Sequence, residues 1–269
     1  MPIMQQQSHN PTLKNGLLSQ FPAQPAGQTM TLQGALNKVL ISLVLVVISA
    51  LYTWNRYVGA LNLYLTHNPG QPIAQAVAQA MAATSVYLWV GLIAGLILAL
   101  ATSFKPMWAP VTAPLYAIAE GLFLGAMSAM FNASYPGIVI QAVLLTFAVM
   151  AVMWFLYRSG LIRVTNKLRT GIMAATGGVF LFYLVTWIVG FFGVSTQNLF
   201  FGSQISIVIS LVIVAIAAFN LLLDFDLIAK GAQSGWPHYM EWYSAFALTV
   251  TLVWLYLELL ALLANLNSR

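Results

Sequence analysis

The chain has no cysteine, which removes disulfides, thiolate metal sites and thiol nucleophiles and leaves the redox compartment unreported. Charge is nearly as scarce. Only 6% of the 269 residues are charged, against roughly a quarter in an ordinary soluble domain, so water is not the main solvent of this chain. Histidine is limited to His9, His67 and His238, all outside the apolar runs. With no histidine or cysteine inside those runs there is no buried base, metal ligand or thiol for an intramembrane enzyme. The last apolar run contains no lysine for a Schiff base, and no Gly-x-Gly-Asp pattern flanks the aspartates as an aspartyl protease would need. The chain is therefore not expected to be an enzyme.

What is present is hydrophobic: 61% of the residues. In lipid every backbone polar group must be satisfied internally, so spans are helices or closed barrels, and long unbroken apolar runs select helices. Runs of spanning length lie at roughly 36–54, 83–103, 107–131, 136–157, 171–193, 203–228 and 241–265. They predict an all-α, polytopic bundle of seven transmembrane helices over residues 35–269, with no separate soluble domain. Residues 1–34, rich in Gln, Pro, Ser and Asn, read as a disordered cytoplasmic tail and not as a signal peptide. Turn chemistry marks His67-Asn68-Pro69-Gly70-Gln71-Pro72, Lys105-Pro106 and Ser134-Tyr135-Pro136-Gly137 as connections. Within the 55–82 connection, residues 73–83 either extend the second helix or lie along the membrane surface.

The formal net charge of +5 reads as a topology signal, not as affinity for nucleic acid. Lys14, Lys38, Lys105, Arg158, Arg163, Lys167, Arg169 and Lys230 fall on one side of the membrane, Arg56 and Arg269 on the other. The positive-inside rule then puts the amino terminus in the cytoplasm and the carboxyl terminus outside. Short loops and an unadorned tail point to a bacterial plasma membrane. Small residues at Gly91 and Gly95, at Gly121 and Gly125, and at Ala174, Ala175, Gly177 and Gly178 predict close helix contacts.

There are five acids: Glu120, Asp224, Asp226, Glu241 and Glu258. An ionised carboxylate at the centre of a span costs at least about 2.5–3.5 kcal/mol, so each buried one needs a partner, water or a proton. Glu120, mid-helix, is either a polar clamp to a neighbouring helix or part of an ion path. Asp224 and Asp226 point about 200° apart on a helix and cannot chelate as an adjacent pair. Glu258 lies deep in the last run, where a short side chain cannot snorkel, and is expected to be functional. Glu241, beside Trp242 at a helix start, reads as a solvated or interfacial residue that suits the helix dipole.

Four stretches carry a resemblance: Ala119-Glu120-Gly121-Leu122-Phe123-Leu124-Gly125, Tyr135-Pro136-Gly137-Ile138-Val139, Ala218-Phe219-Asn220-Leu221-Leu222-Leu223-Asp224-Phe225-Asp226-Leu227-Ile228 and Trp254-Leu255-Tyr256-Leu257-Glu258. Together they resemble the Bax inhibitor-1 family, also called the transmembrane Bax inhibitor motif or YccA-like family, over most of residues 36–266. The resemblance implies a seven-helix bundle with the last helix central. It also implies a pH-sensitive calcium leak controlled by two facing carboxylates on the sixth and seventh helices. Asp224 matches the first of these positions and Glu258 the second, where the family more often has Asp.

On that reading Asp224 and Glu258 form the pH-sensing and gating pair, share a proton and titrate as a unit. Their oxygens are also the candidate ligands for calcium, which would be the transported ion and not a cofactor. Glu120 and Asp226 are further candidates for the ion path. Asp226 also competes as a pairing partner, since Phe225-Asp226 stands where the family commonly has Thr-Gln. A proton-coupled secondary transporter and a non-transporting regulatory membrane protein are the competing functions. The expected partners are the lipid bilayer and calcium or protons.

Overall fold

The computed structural model describes residues 29–193 and 203–268. Seven long helices follow one another: α1 (Leu32–His67), α2 (Ile73–Phe104), α3 (Ala109–Ser134), α4 (Ile138–Arg158), α5 (Asn166–Phe191), α6 (Gln204–Gln233) and α7 (Met240–Asn267). Each is long and apolar enough to cross a membrane, and a short 3-10 turn, Pro106–Trp108, joins α2 to α3. Thus the all-helical, seven-span class is what the chain adopts. No strand occurs among the described residues, where the only β pairing is an isolated antiparallel bridge between Thr29 and Pro237.

Local chemistry sets the helix ends. Thr31 begins α1 by accepting a hydrogen bond from the Gly34 amide at 2.9 Å, and Thr165 caps α5 through the Leu168 amide. Ser203 and Ser206 form a reciprocal capping box on α6. The turn from α3 into α4 passes through Gly137 at φ 86°, a left-handed conformation that glycine adopts without steric cost.

Two expectations about the amino-terminal third change. The 55–82 connection is mostly helix: α1 runs on to His67, α2 begins at Ile73, and only residues 68–72 join them. No proline interrupts residues 55–67, and the extension has packing of its own, with Tyr57, Ala80 and Ala129 buried together and Tyr64 Oη donating to Gln75 Oε1 at 3.1 Å. At 36 residues, α1 is about 54 Å long, so it projects well beyond a hydrocarbon core of about 30 Å. Of the residues 1–34 expected as a tail, Leu32 to Gly34 are helical. Residues 1–28 lie outside the described residues, but Thr29 to Thr31 dock onto the α6–α7 connection and α1 has begun by Leu32.

The bundle is built around α7, which packs against α1, α3, α4 and α6. In its most apolar stretch 61% of residues are buried, compared with 17% for α5. The last helix is therefore central. Close packing comes from glycines, as expected at two of the three sites. A Cβ on Gly91 of α2 would fall 2.6 Å from the Ala119 carbonyl oxygen of α3. On Gly121 and Gly125 of α3 it would meet the α1 carbonyls of Val46 and Ala50 at 2.3 and 2.4 Å. The third site differs: Gly177 and Gly178 of α5 have no described residue within 4 Å of such a Cβ, so these two glycines serve no close contact among the described residues.

Candidate functional site

Helix α5 meets the bundle along one narrow line. Its buried residues are Ile172, Val179 and Thr186, each seven positions after the last. Interleaved with them at the same spacing are Arg169, Thr176 and Tyr183, and each of these three makes a polar contact across to α6 or α7. Arg169 Nη2 pairs with Asp226 Oδ2, Asn220 Nδ2 donates to Thr176 Oγ1 at 2.8 Å, and Tyr183 Oη donates to Glu258 Oε1 at 2.6 Å. A seven-residue repeat keeps residues on one face of a helix. From Arg169 to Tyr183 the polar positions extend over about 21 Å of helix, most of a hydrocarbon core of about 30 Å. This is a polar seam through a membrane, where such groups are costly unless they pair or line a path.

The acids divide along this seam. Glu258 is buried, and its Oε1 accepts from both Tyr183 and Trp254 Nε1, the latter at 2.9 Å. Asp226 is 5% exposed and lies between Arg169 and Lys230, whose Nζ is 2.7 Å from Oδ2. The Tyr157 hydroxyl at the end of α4 faces it as well. As the helical wheel requires, Asp224 points elsewhere, toward the Thr251 hydroxyl of α7, and its Oδ2 is buried without a hydrogen-bond partner among the described residues.

Asp224 and Glu258 therefore do not share a hydrogen bond in this structure. Thr251 and Glu258 lie on one face of α7, seven residues and about 10.5 Å apart along the axis, so the two acids occupy successive levels of that face. Beyond Glu258 the seam continues in Asn265, which donates to Ser210 Oγ at 3.2 Å and accepts from Ser206 Oγ at 3.3 Å. Among the described residues no three His, Asp or Glu side chains converge as a metal site would require.

Two acids stand outside the seam. Glu120 packs at the α2–α3 contact, where a Cβ on Gly95 would fall 2.7 Å from its Oε1, and it hydrogen-bonds Tyr116 one turn back. Its hydrogen bond thus stays within α3, and Gly95 of α2 makes room for the carboxylate at the helix contact. Glu241 is not solvated, contrary to expectation: it is fully buried. Its Oε1 accepts from the amide and the hydroxyl of Thr31, both at 2.9 Å, and Lys38 Nζ lies 3.0 Å from Oε2. His238 Nδ1 lies 3.5 Å from Oε1. The reason is the strap of residues 29–31, whose Met30 amide donates to the Trp236 carbonyl at 2.6 Å. Sequence offers one signal for this, an acid at the first turn of a helix in a chain with few acids, but Thr31 and Lys38 are 210 and 203 positions away.

An apolar cavity of about 480 Å³ lies between α1, α3, α4 and α7, lined by Val47, Leu51, Val143, Phe147, Leu252 and Tyr256 among others. No Asp or Glu lines it.

Comparison with known proteins agrees with this architecture. A search of curated proteins and a search of solved structures found no match to the chain. The family model described as Bax inhibitor 1 like matches residues 10–268, so the chain belongs to the Bax inhibitor-1-like family of membrane proteins.

Proposed function

We propose that the protein is a cation leak whose path follows the seam between α5, α6 and α7, with calcium as the ion and pH as the regulator. The observation that carries this reading is the seven-residue repeat of Arg169, Thr176 and Tyr183 set against Asp226, Asn220 and Glu258. Carboxylate and amide oxygens are the hard ligands calcium prefers, and a row of them at several depths suits stepwise passage better than tight storage. Asp224, Asp226 and Glu258 are the acids of the path. Glu120, away from the seam, is assigned to packing. On this reading the amino terminus and the α4–α5 connection are cytoplasmic, from the bias of basic residues, in a bacterial plasma membrane.

The test is calcium flux into proteoliposomes across a pH series between about 5 and 8. A passive, pH-dependent calcium leak is the expected result. Saturable exchange driven by a proton gradient would replace this reading with a proton-coupled transporter, and no flux of any cation would leave a non-transporting regulator.

A further inference from the structure

The apolar cavity between α1, α3, α4 and α7 opens sideways. Helices α1 and α4 both pack on α7 but not substantially on each other. The residues at its rim, Val47 and Leu51 on α1 and Ile140, Val143 and Phe147 on α4, line the cavity and are exposed. In a bundle whose helices span a membrane, such an opening faces hydrocarbon and not water. The interior suits hydrocarbon as well. Ser128 Oγ donates to the Leu124 carbonyl at 2.6 Å and pairs with the Tyr256 hydroxyl at 2.7 Å, while Thr146 and Thr249 donate to the carbonyls of Ala142 and Ala245. These hydroxyls already have protein partners, whereas a buried water needs about 2–4 polar partners of its own.

Depth and polarity give the cavity a direction. On α4 its lining starts at Val139, beside the α3–α4 turn, and ends at Phe147, about 12 Å further along the axis and close to the middle of a hydrocarbon core of about 30 Å. The cavity thus reaches through one leaflet. At the turn end stand Trp54 and Asn132, the last lining residues of α1 and α3. Both carry N–H donors suited to ester carbonyls, and tryptophan favours the depth at which those carbonyls lie. The volume of about 480 Å³ is in the range of small-ligand sites. Left empty, it would forfeit dispersion contacts along its walls, and the bilayer supplies acyl chains at its mouth.

We propose that this groove is a lipid site: one acyl chain of a glycerophospholipid, from the leaflet on the α3–α4 side, lies between α1 and α4 with its ester end at Trp54 and Asn132 and its methyl end near Phe147. The chain joins two helices that otherwise hardly meet. The site is separate from the cation path and does not rest on it.

The experiment uses the full-length protein in detergent, mixed with an equimolar amount of phosphatidylethanolamine that carries a diazirine on one acyl chain, photolysed and mapped by mass spectrometry. A diazirine at the methyl end is expected to label Phe147, and one near the ester to label Leu51 and Ile140, saturably and in competition with unlabelled lipid. Val143→Trp fills the mouth and is expected to abolish groove labelling. Labelling of Val86, Val90 and Ile93, an exposed face of α2, is expected to persist in that variant and reports that it has folded. Groove labelling that rises without saturation in step with α2 would show solvent lipid only and overturn the site, as would a groove without adducts. Because the protein has no cysteine, Val143→Cys tests the other occupant: a disulfide-linked dimer formed in membranes would assign the groove to a second copy and overturn the lipid site.

Discussion

Glu241 of α7 occupies the space that a side chain on Gly34 of α1 would fill: a Cβ there would lie 2.0 Å from Glu241 Oε1. The absent side chain lets the start of α1 close over a fully buried carboxylate, whose Oε1 accepts from Thr31 and whose Oε2 has Lys38 Nζ beside it as an ion-pair partner. The strap formed by Thr29 and Met30 lies on the adjoining surface, with Met30 Sδ against Gly231 and Ser244. The amino-terminal end of the described chain is thereby fastened to the entry of the central helix.

This clasp is a stability element. Breaking a buried ion pair by removing one partner costs about 3–5 kcal/mol. Lys38 retains 20% side-chain exposure, which lets water take over part of its charge, so Glu241→Ala is expected at the low end of that range. Gly34→Ala is expected to be at least as damaging as Glu241→Gln, since it pushes directly into the carboxylate. Thermal unfolding in detergent checks both. If Gly34→Ala unfolds with the wild type, the buried placement of Glu241 is wrong.

The glycines of the bundle make opposite predictions on two helices. Gly125→Ala forces a Cβ toward the Ala50 carbonyl at 2.4 Å, and overpacking of this kind typically costs about 1–3 kcal/mol. Gly177→Ala meets nothing within 4 Å and replaces a poor helix former with the best one, worth up to about 1 kcal/mol in favour of the helix in water. Melting temperatures are therefore expected to fall in the first variant and to hold or rise in the second. Equal losses in both would mean that α5 is packed as tightly as α3.

The contrast between those helices shows what the sequence made legible. Apolar run length located all seven spans because lipid leaves the backbone no other solution. Spacing alone identified Gly91, Gly95, Gly121 and Gly125 as contacts, but the same reading failed at Gly177 and Gly178, since small residues permit a neighbour without supplying one. The seam of α5 was present in the sequence and overlooked. Arg169 had been assigned to topology, while Thr176 and Tyr183 carry no charge to draw attention. Their partners Asn220 and Glu258 lie 44 and 75 positions away, a pairing that the fold alone reveals. The buried state of Glu241 was hidden for the same reason, because its cation comes from another helix.

Topology is open to a direct test. If, as proposed from the basic residues, the α4–α5 connection is cytoplasmic, seven spans would put Arg269 outside. A reporter active only in the cytoplasm is expected to be silent when fused after Arg269 and active when fused in the Ser159–Thr165 connection. Activity after Arg269 would require that one of the seven helices does not cross.

The relation between Asp224 and Glu258 yields the last prediction. A facing pair that shares one proton titrates as a unit, and neutralising both members then adds little to neutralising one. In this structure the two carboxylates have separate surroundings: Asp224 faces Thr251, whereas Glu258 accepts from Tyr183 and Trp254. Glu258→Gln keeps a carbonyl oxygen to accept from both donors and loses only the charge. Asp224→Asn likewise keeps the size and removes the titration. Each variant is expected to flatten part of the pH dependence of calcium flux between about pH 5 and 8. In the double variant the two effects on log flux are expected to add, to within the roughly 0.3–0.5 kcal/mol typical of sites without direct contact. Full non-additivity would show that the acids meet and share a proton in the conducting state, which requires α6 and α7 to shift along each other by up to about two turns of helix. Wild-type pH dependence in both single variants would remove the two residues from pH sensing and leave Asp226 as the remaining acid of the seam.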